Sequence, residues 1–130
     1  MLDAGQKQIV RIMEYKRSDR VADLLHQEIA ELVFRRLKDP RTANITISGV
    51  EVSGDLRHAR VFFCIMGGST DEDAKRNAGS GLEKAKGFIR FELGRRLSLR
   101  YIPQLDFEYD TSFEYGDKIE RLLKELHKDE

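Results

Sequence analysis

The chain has 130 residues, a single cysteine, and 23 Lys+Arg set against 23 Asp+Glu. That length fits one domain with a self-sufficient core. The lone Cys64 excludes an internal disulfide and a cysteine-rich zinc site. The neutral total hides a sorted distribution. Lys75 to Arg100 holds eight bases against two acids, while Tyr101 onward holds nine acids against four bases. A basic middle and an acidic end attract a polyanion at one place and repel it at another, which points to oriented nucleic-acid binding. No apolar run reaches the ~18 residues of a membrane span. The start of the chain, with Asp3, Glu14 and Asp19, has no signal or transit character, so the expectation is a soluble cytoplasmic protein.

Residues 1–17 read as a net basic lead-in. A helix is expected from Ser18 or Asp19, either of which can cap it. Its apolar face is Val21, Leu25, Ile29, Leu32, Val33 and Leu37. Pro40 should end it, because the residue before a proline is pushed out of helical geometry. Asn44 to Ser53 reads as a strand. Ile45 and Ile47 alternate in one phase and Val50 and Val52 in the other, so a β-bulge is predicted at Gly49. Gly54-Asp55 opens a turn, and Ala59 to Met66 returns as an antiparallel, central strand, apolar on both faces. Thr70 is positioned to cap a second helix with an acidic first turn, bearing Ala74, Ala78, Leu82 and Ala85 on one side. Gly79 and Gly81 weaken that helix by about 1 kcal/mol each relative to Ala. Gly87 interrupts it, and a third helix follows with Phe88, Ile89, Leu93 and Leu97 inward. Leu105, Phe107 and Tyr109 alternate with Asp106, Glu108 and Asp110 as a half-buried strand. A final amphipathic helix is expected over Tyr115 to His127.

This order suits an α+β layer: a three-stranded sheet with helices on one face. Catalysis has little support. His26, a helix-surface position, His58 and His127 fall on three different elements, and no HExxH, CxxC or GxxxxGK[ST] pattern occurs. Cys64 reads as a structural thiol, and Asp106, Glu108 and Asp110 as a solvated sheet face rather than a metal site. Small residues at Ala85-Lys86-Gly87 let a backbone approach closely. That backbone is either nucleic acid, near Lys86 and Arg90, or simply the chain's own at a bend. Arg95, Arg96 and Arg100, like Arg35, Arg36 and Lys38, lie near helix C-termini, where the dipole favours bases anyway.

Several runs together resemble bacterial ribosome-binding factor A. They are Lys38-Asp39-Pro40-Arg41, Ile45 through Ser53, Asp55 through Val61, Ala85-Lys86-Gly87-Phe88-Ile89-Arg90, Leu97-Ser98-Leu99-Arg100 and Pro103 through Phe107. They occur in family order and spacing from about Asp19 to Leu126. The resemblance implies a type II KH-like fold of order αββααβ plus a C-terminal helix. Ala85-Lys86-Gly87 matches the family's Ala-x-Gly corner of a helix–kink–helix. It divides the chain into the lead-in 1–17, a KH-like domain 18–112 and an acidic amphipathic tail 113–130.

The resemblance further implies a non-catalytic assembly factor; no cofactor, metal or small-molecule substrate is expected, and a monomer is expected because no extended apolar surface stripe is left over. Such a protein binds the immature 30S subunit and its 16S rRNA. It supports late rRNA processing and cold adaptation, and a maturation GTPase takes part in its release. The RNA-binding candidates are Lys84, Lys86, Arg90, Arg95, Arg96 and Arg100, then Arg35, Arg36, Lys38 and Arg41. Two other readings remain at this point: a KH-like binder of single-stranded RNA unrelated to ribosomes, and a protein–protein adaptor.

Overall fold

The computed structural model describes residues 15–67, 71–112, 120 and 122–126. Helix α1 spans Arg17–Arg35, and a 3-10 turn spans Pro40–Thr42. Strand β1 is Ile45–Val52, β2 is His58–Ile65, helix α2 is Glu72–Arg96, and β3 is Gln104–Tyr109. The sheet order is β1-β2-β3, with β1 and β2 antiparallel and β2 and β3 parallel. A parallel pair needs a long crossover, which α2 supplies. Both helices lie on one face, α1 over β1 and α2 over β3.

The predicted apolar pattern builds the core. Leu25, Ile29 and Leu32 from α1 meet Ile47, Val61 and Leu105 from the sheet and Leu82, Ile89 and Leu93 from α2. The bulge falls where the phase slips: the pairing skips a residue between Ile47 and Gly49, which keeps Val50 and Val52 on the core side. His26 is not a surface residue of α1. Its Nε2–H donates to the Ile47 carbonyl at 3.0 Å, a group at the irregular step of the ladder. On the solvent face Arg60 stacks over Phe62 and pairs with Glu108 at 2.7 Å and Glu51 at 3.4 Å, tying all three strands. Exposed pairs of this kind contribute about 1 kcal/mol or less.

Helix boundaries differ from expectation at three places. In α1, Asp19 acts from the third position, accepting from the Lys16 amide at 2.9 Å, so the helix opens earlier, at Arg17. It also stops at Arg35, before Pro40 could end it. Asp39 then caps the 3-10 turn, accepting from the Arg41 amide, and Pro40 takes the first position, where a missing N–H costs nothing. In α2, Asp71 is the N-cap and accepts from the Asp73 amide. Thr70 lies outside the described residues, as does most of the expected C-terminal helix, of which 122–126 are helical.

The main correction concerns the two helices expected around Ala85-Lys86-Gly87. They form one continuous 25-residue helix, so the observed order is αββαβ. Gly87 costs about 1 kcal/mol of helix propensity. Leu82, Ile89 and Leu93 are fully buried on either side of it and hold the helix in one piece. The Gly79–Gly81 stretch is likewise regular helix, and its composition has a packing reason. A Cβ on Gly81 would sit 2.9 Å from Thr42 Cγ2 and 3.1 Å from Arg41 Cβ, so only glycine lets α2 lie this close to the 3-10 turn.

Candidate nucleic-acid interface

The ten basic candidates separate into three groups once α2 is one helix. At about 100° per residue, Lys84 and Lys86 point about 200° apart. Lys84, Phe88, Phe91 and Arg95 recur at i, i+4, i+7 and i+11 and share a stripe. Lys86 and Arg90 project from the opposite flank, toward β3. Arg96 turns inward against α1.

The stripe flank is open. Lys84 is exposed and lines a shallow groove with Leu37, Lys38, Asp39, Pro40, Arg41, Gly81 and Ala85. The sharp end of α1 and the capped 3-10 turn deliver Lys38 and Arg41 to that groove. Arg36 lies over the Phe88 ring at 6.0 Å. Among the described residues, Arg35, Arg36, Lys38 and Lys84 make no salt bridge, although the Lys84 charge is near enough to Asp39 to help lower its pKa. Arg41 does: its guanidinium meets Asp39 at 2.7 Å. The guanidinium and the Arg41 amide together hold the Asp39 carboxyl down at about 2. Gly87 lies beside this stripe, and a Cβ added there would meet nothing within 4 Å. The corner is therefore open to an outside backbone and is not filled by the chain's own.

The β3 flank is more occupied. Lys86 pairs with Glu83 at 2.8 Å and lies 6.0 Å from the Phe107 ring. Arg90 donates to the carbonyls of Ile102, at 2.9 Å, and Pro103, at 3.2 Å, fixing the segment before β3. Arg100 stacks on Tyr101 at 5.4 Å.

Arg96 is a clamp. It bonds Glu28 at 3.1 Å and reaches Glu31 and Glu92, each at 3.6 Å. Those carboxylates raise its pKa, with the Glu28 hydrogen bond first among the causes. Glu92 is only 5% exposed, and Arg95 and Arg96 are its two counter-charges among the described residues.

Much of the positive charge read from Lys75 to Arg100 is thus met within the helix. Lys75 and Arg76 pair with Glu72 and Asp73, just outside that window. What remains is a smaller basic face with aromatics set into it. Phe88, expected inward, is 38% exposed, and Phe91 is 65% exposed. Their offset from the Leu82, Ile89, Leu93 line is the sequence signal that identifies them.

Burial and the Asp110 charge push the Cys64 thiol up, consistent with a structural role. Asp110 itself is held low by hydrogen bonds from Ser112 and Ser48. Among the described residues no group of three or more His, Cys, Asp or Glu side chains could hold a metal ion.

Together the fold and this face define a small α+β module that presents a basic, aromatic-studded groove rather than a reaction centre. The family model for ribosome-binding factor A matches residues 17–123. Ribosome-binding factor A of Syntrophobacter fumaroxidans is 65% identical over 118 residues, covering 91% of this chain and 100% of that one. Its counterpart in Syntrophus aciditrophicus is 50% identical, covering 90% and 93%. The crystal structure of ribosome-binding factor A from Thermus thermophilus is similar, with a TM-score of 0.61 and 25% identity over 71% of this chain and 93% of that one. A Thermus thermophilus ribosome-binding factor A homology model fitted into a cryo-EM map of a 30S complex matches with a TM-score of 0.56 and 26% identity, over 69% and 91%. This chain belongs to the ribosome-binding factor A family, a family of non-catalytic 30S assembly factors.

Proposed function

We propose that this chain binds the immature 30S subunit by gripping 16S rRNA with the α1–α2 groove face. The observation that carries the proposal is one juxtaposition. Lys38 and Lys84, which make no salt bridge among the described residues, stand beside the Arg41-paired Asp39, the Arg36–Phe88 stack and the open Gly87. The lysines and Arg36 contact phosphates, and an RNA backbone passes over Gly87. Phe88 and Phe91 offer π-faces to unstacked bases. Arg35 and Arg95 extend the face, and Arg41 joins it when RNA competes with Asp39. Lys86, Arg90 and Arg100 form a secondary flank, while Arg96 serves the fold.

The unit that does this is a type II KH-like domain over residues 18–112, with the lead-in 1–17 and the acidic tail 113–130 outside it. It acts as a cytoplasmic monomer. Binding holds one arrangement of rRNA until the subunit matures, which supports late 16S processing and growth in the cold. Release involves a maturation GTPase.

Sedimentation with 30S subunits, comparing wild type with Lys38→Glu/Lys84→Glu, tests the reading. The double variant should lose 30S association while keeping its thermal stability. Unchanged association would overturn the assignment of this face.

A further inference from the structure

The sheet face turned away from both helices has no layer packed on it among the described residues. β2 runs along its middle. Ala59, Val61 and Phe63 point into the core, so Arg60, Phe62 and Cys64 point outward, and Met66 just past the strand is 64% exposed. The bulge gives this face a notch. Gly49 stands opposite Phe62, so β1 brings no side chain against that edge of the ring; a Cβ there would lie 3.9 Å from Phe62 Cδ2. Carboxylates surround the notch. Glu108 is the β3 neighbour of Phe62, Asp106 and Asp110 flank Glu108 along the chain, and Glu51 lies two residues beyond Gly49. Arg60 is the only lysine or arginine in the three strands, and it is already shared between Glu108 and Glu51. Asp106 makes no salt bridge among the described residues. Four carboxylates therefore face one guanidinium around an uncovered apolar centre.

We propose that this face docks a protein segment: an extended stretch rich in lysine or arginine that carries an apolar side chain. The apolar side chain packs over Gly49 against Phe62, with Cys64 beside it. The bases on either side of it meet Asp106, Asp110 and Glu51. An uncovered apolar centre with a charged rim is the usual make-up of a protein contact, in which the rim selects the partner and the centre holds it. The same carboxylates repel a phosphate backbone, so the occupant is protein and RNA stays on the helix side. The inference is independent of the 30S reading, since it uses none of the bases assigned to RNA.

Two experiments on the full chain test it. The first titrates the isotope-labelled protein with a peptide holding one leucine between two pairs of lysines. Amide shifts are expected at Thr46, Gly49, Phe62, Cys64 and Asp106. A peptide with serine in place of leucine should bind about tenfold more weakly, the scale of one buried apolar side chain. A peptide with glutamates in place of lysines should give no shifts. Silence at those residues overturns the inference. So does equal binding of the serine peptide, which would reduce the face to a bare charge effect, and so does an equal response to a uridine heptanucleotide.

The second uses variants. Asp106→Lys, at an exposed position, should weaken the leucine peptide several-fold and flatten the salt dependence of its binding, while Phe62→Thr should weaken it about tenfold. Lys38→Glu/Lys84→Glu should leave the titration unchanged, which keeps this face separate from the α1–α2 groove. Unchanged peptide affinity in Asp106→Lys overturns the inference even if Phe62→Thr fails to fold. Two other occupants would also overturn it. Amide shifts at Leu122, Leu123 and Leu126 on Asp106→Lys would give the face to the chain's own tail. A dimer in light scattering that Asp106→Lys dissolves would give it to a second copy.

Discussion

Replacing Gly87 with alanine should make the protein more stable and a weaker partner for the 30S subunit. Alanine is favoured over glycine inside a helix by about 1 kcal/mol. The added Cβ would meet nothing within 4 Å, so no packing cost offsets the gain. For a chain of this size that raises Tm by about 4 °C. Gly81→Ala provides the internal contrast, because its Cβ would sit 2.9 Å from Thr42 Cγ2. Thr42 is 2% exposed, and its hydroxyl donates to the Asp39 carbonyl at 2.8 Å, so it cannot swing aside. Overpacking costs about 1–3 kcal/mol, which cancels or exceeds the propensity gain. Gly79→Ala should behave like Gly87→Ala, since Phe63 Cζ would be at an ordinary 3.7 Å. Urea unfolding reads these as midpoint shifts at constant slope. Only Gly87→Ala should also reduce 30S affinity, because only there does the proposed RNA backbone lie over the missing side chain. Equal stabilisation by Gly81→Ala and Gly87→Ala would refute the packing argument. Full 30S affinity in Gly87→Ala would refute the idea of backbone approach.

Four further outcomes follow from the same geometry. Arg96→Met should lower the urea unfolding midpoint, because it leaves Glu92 buried with Arg95 as its remaining counter-charge among the described residues; at temperatures where it stays folded, 30S affinity should hold. Asp39 is held at about 2, below its unfolded value near 3.8, so its contribution is complete above about pH 4 and fades as pH falls toward 2. Asp39→Asn should remove that part of the acid limb in a pH series of thermal melts and, by freeing Arg41, tighten 30S binding at fixed salt. Lys84→Gln should weaken 30S binding evenly and reduce the salt slope by about one, read by sedimentation at several ionic strengths. Cys64 should react with a thiol-specific disulfide reagent well below the rate of a free cysteine at pH 8, speeding up on unfolding, because burial and Asp110 raise its pKa.

The sheet and the core were legible because their signals are local. Alternation at Ile45, Ile47, Val50 and Val52 marks both the strand and its bulge, and helical spacing marks the buried face of α1. The helix break was misread because propensity at Gly87 is weaker than the burial of Leu82, Ile89 and Leu93 around it. Gly81 looked like a defect because its reason lies about 40 residues upstream in sequence, at Arg41 and Thr42. The candidate interface was half legible. Basic residues were visible, but charge counts do not show which bases are committed. Arg96 is committed to Glu28, and Arg90 is oriented by two carbonyls, contacts that exist only once the chain has folded. Lys38 and Lys84, 46 positions apart, meet only through the approach that Gly81 permits.

The most direct test of the central claim is co-sedimentation of wild type and Lys38→Glu/Lys84→Glu with 30S subunits, 70S ribosomes and free RNA oligonucleotides across a salt series. The account predicts that wild type associates preferentially with free 30S, that the association weakens steeply with salt, and that the double variant loses it while remaining folded. Salt-insensitive association, or 30S binding unchanged in the double variant, would contradict it.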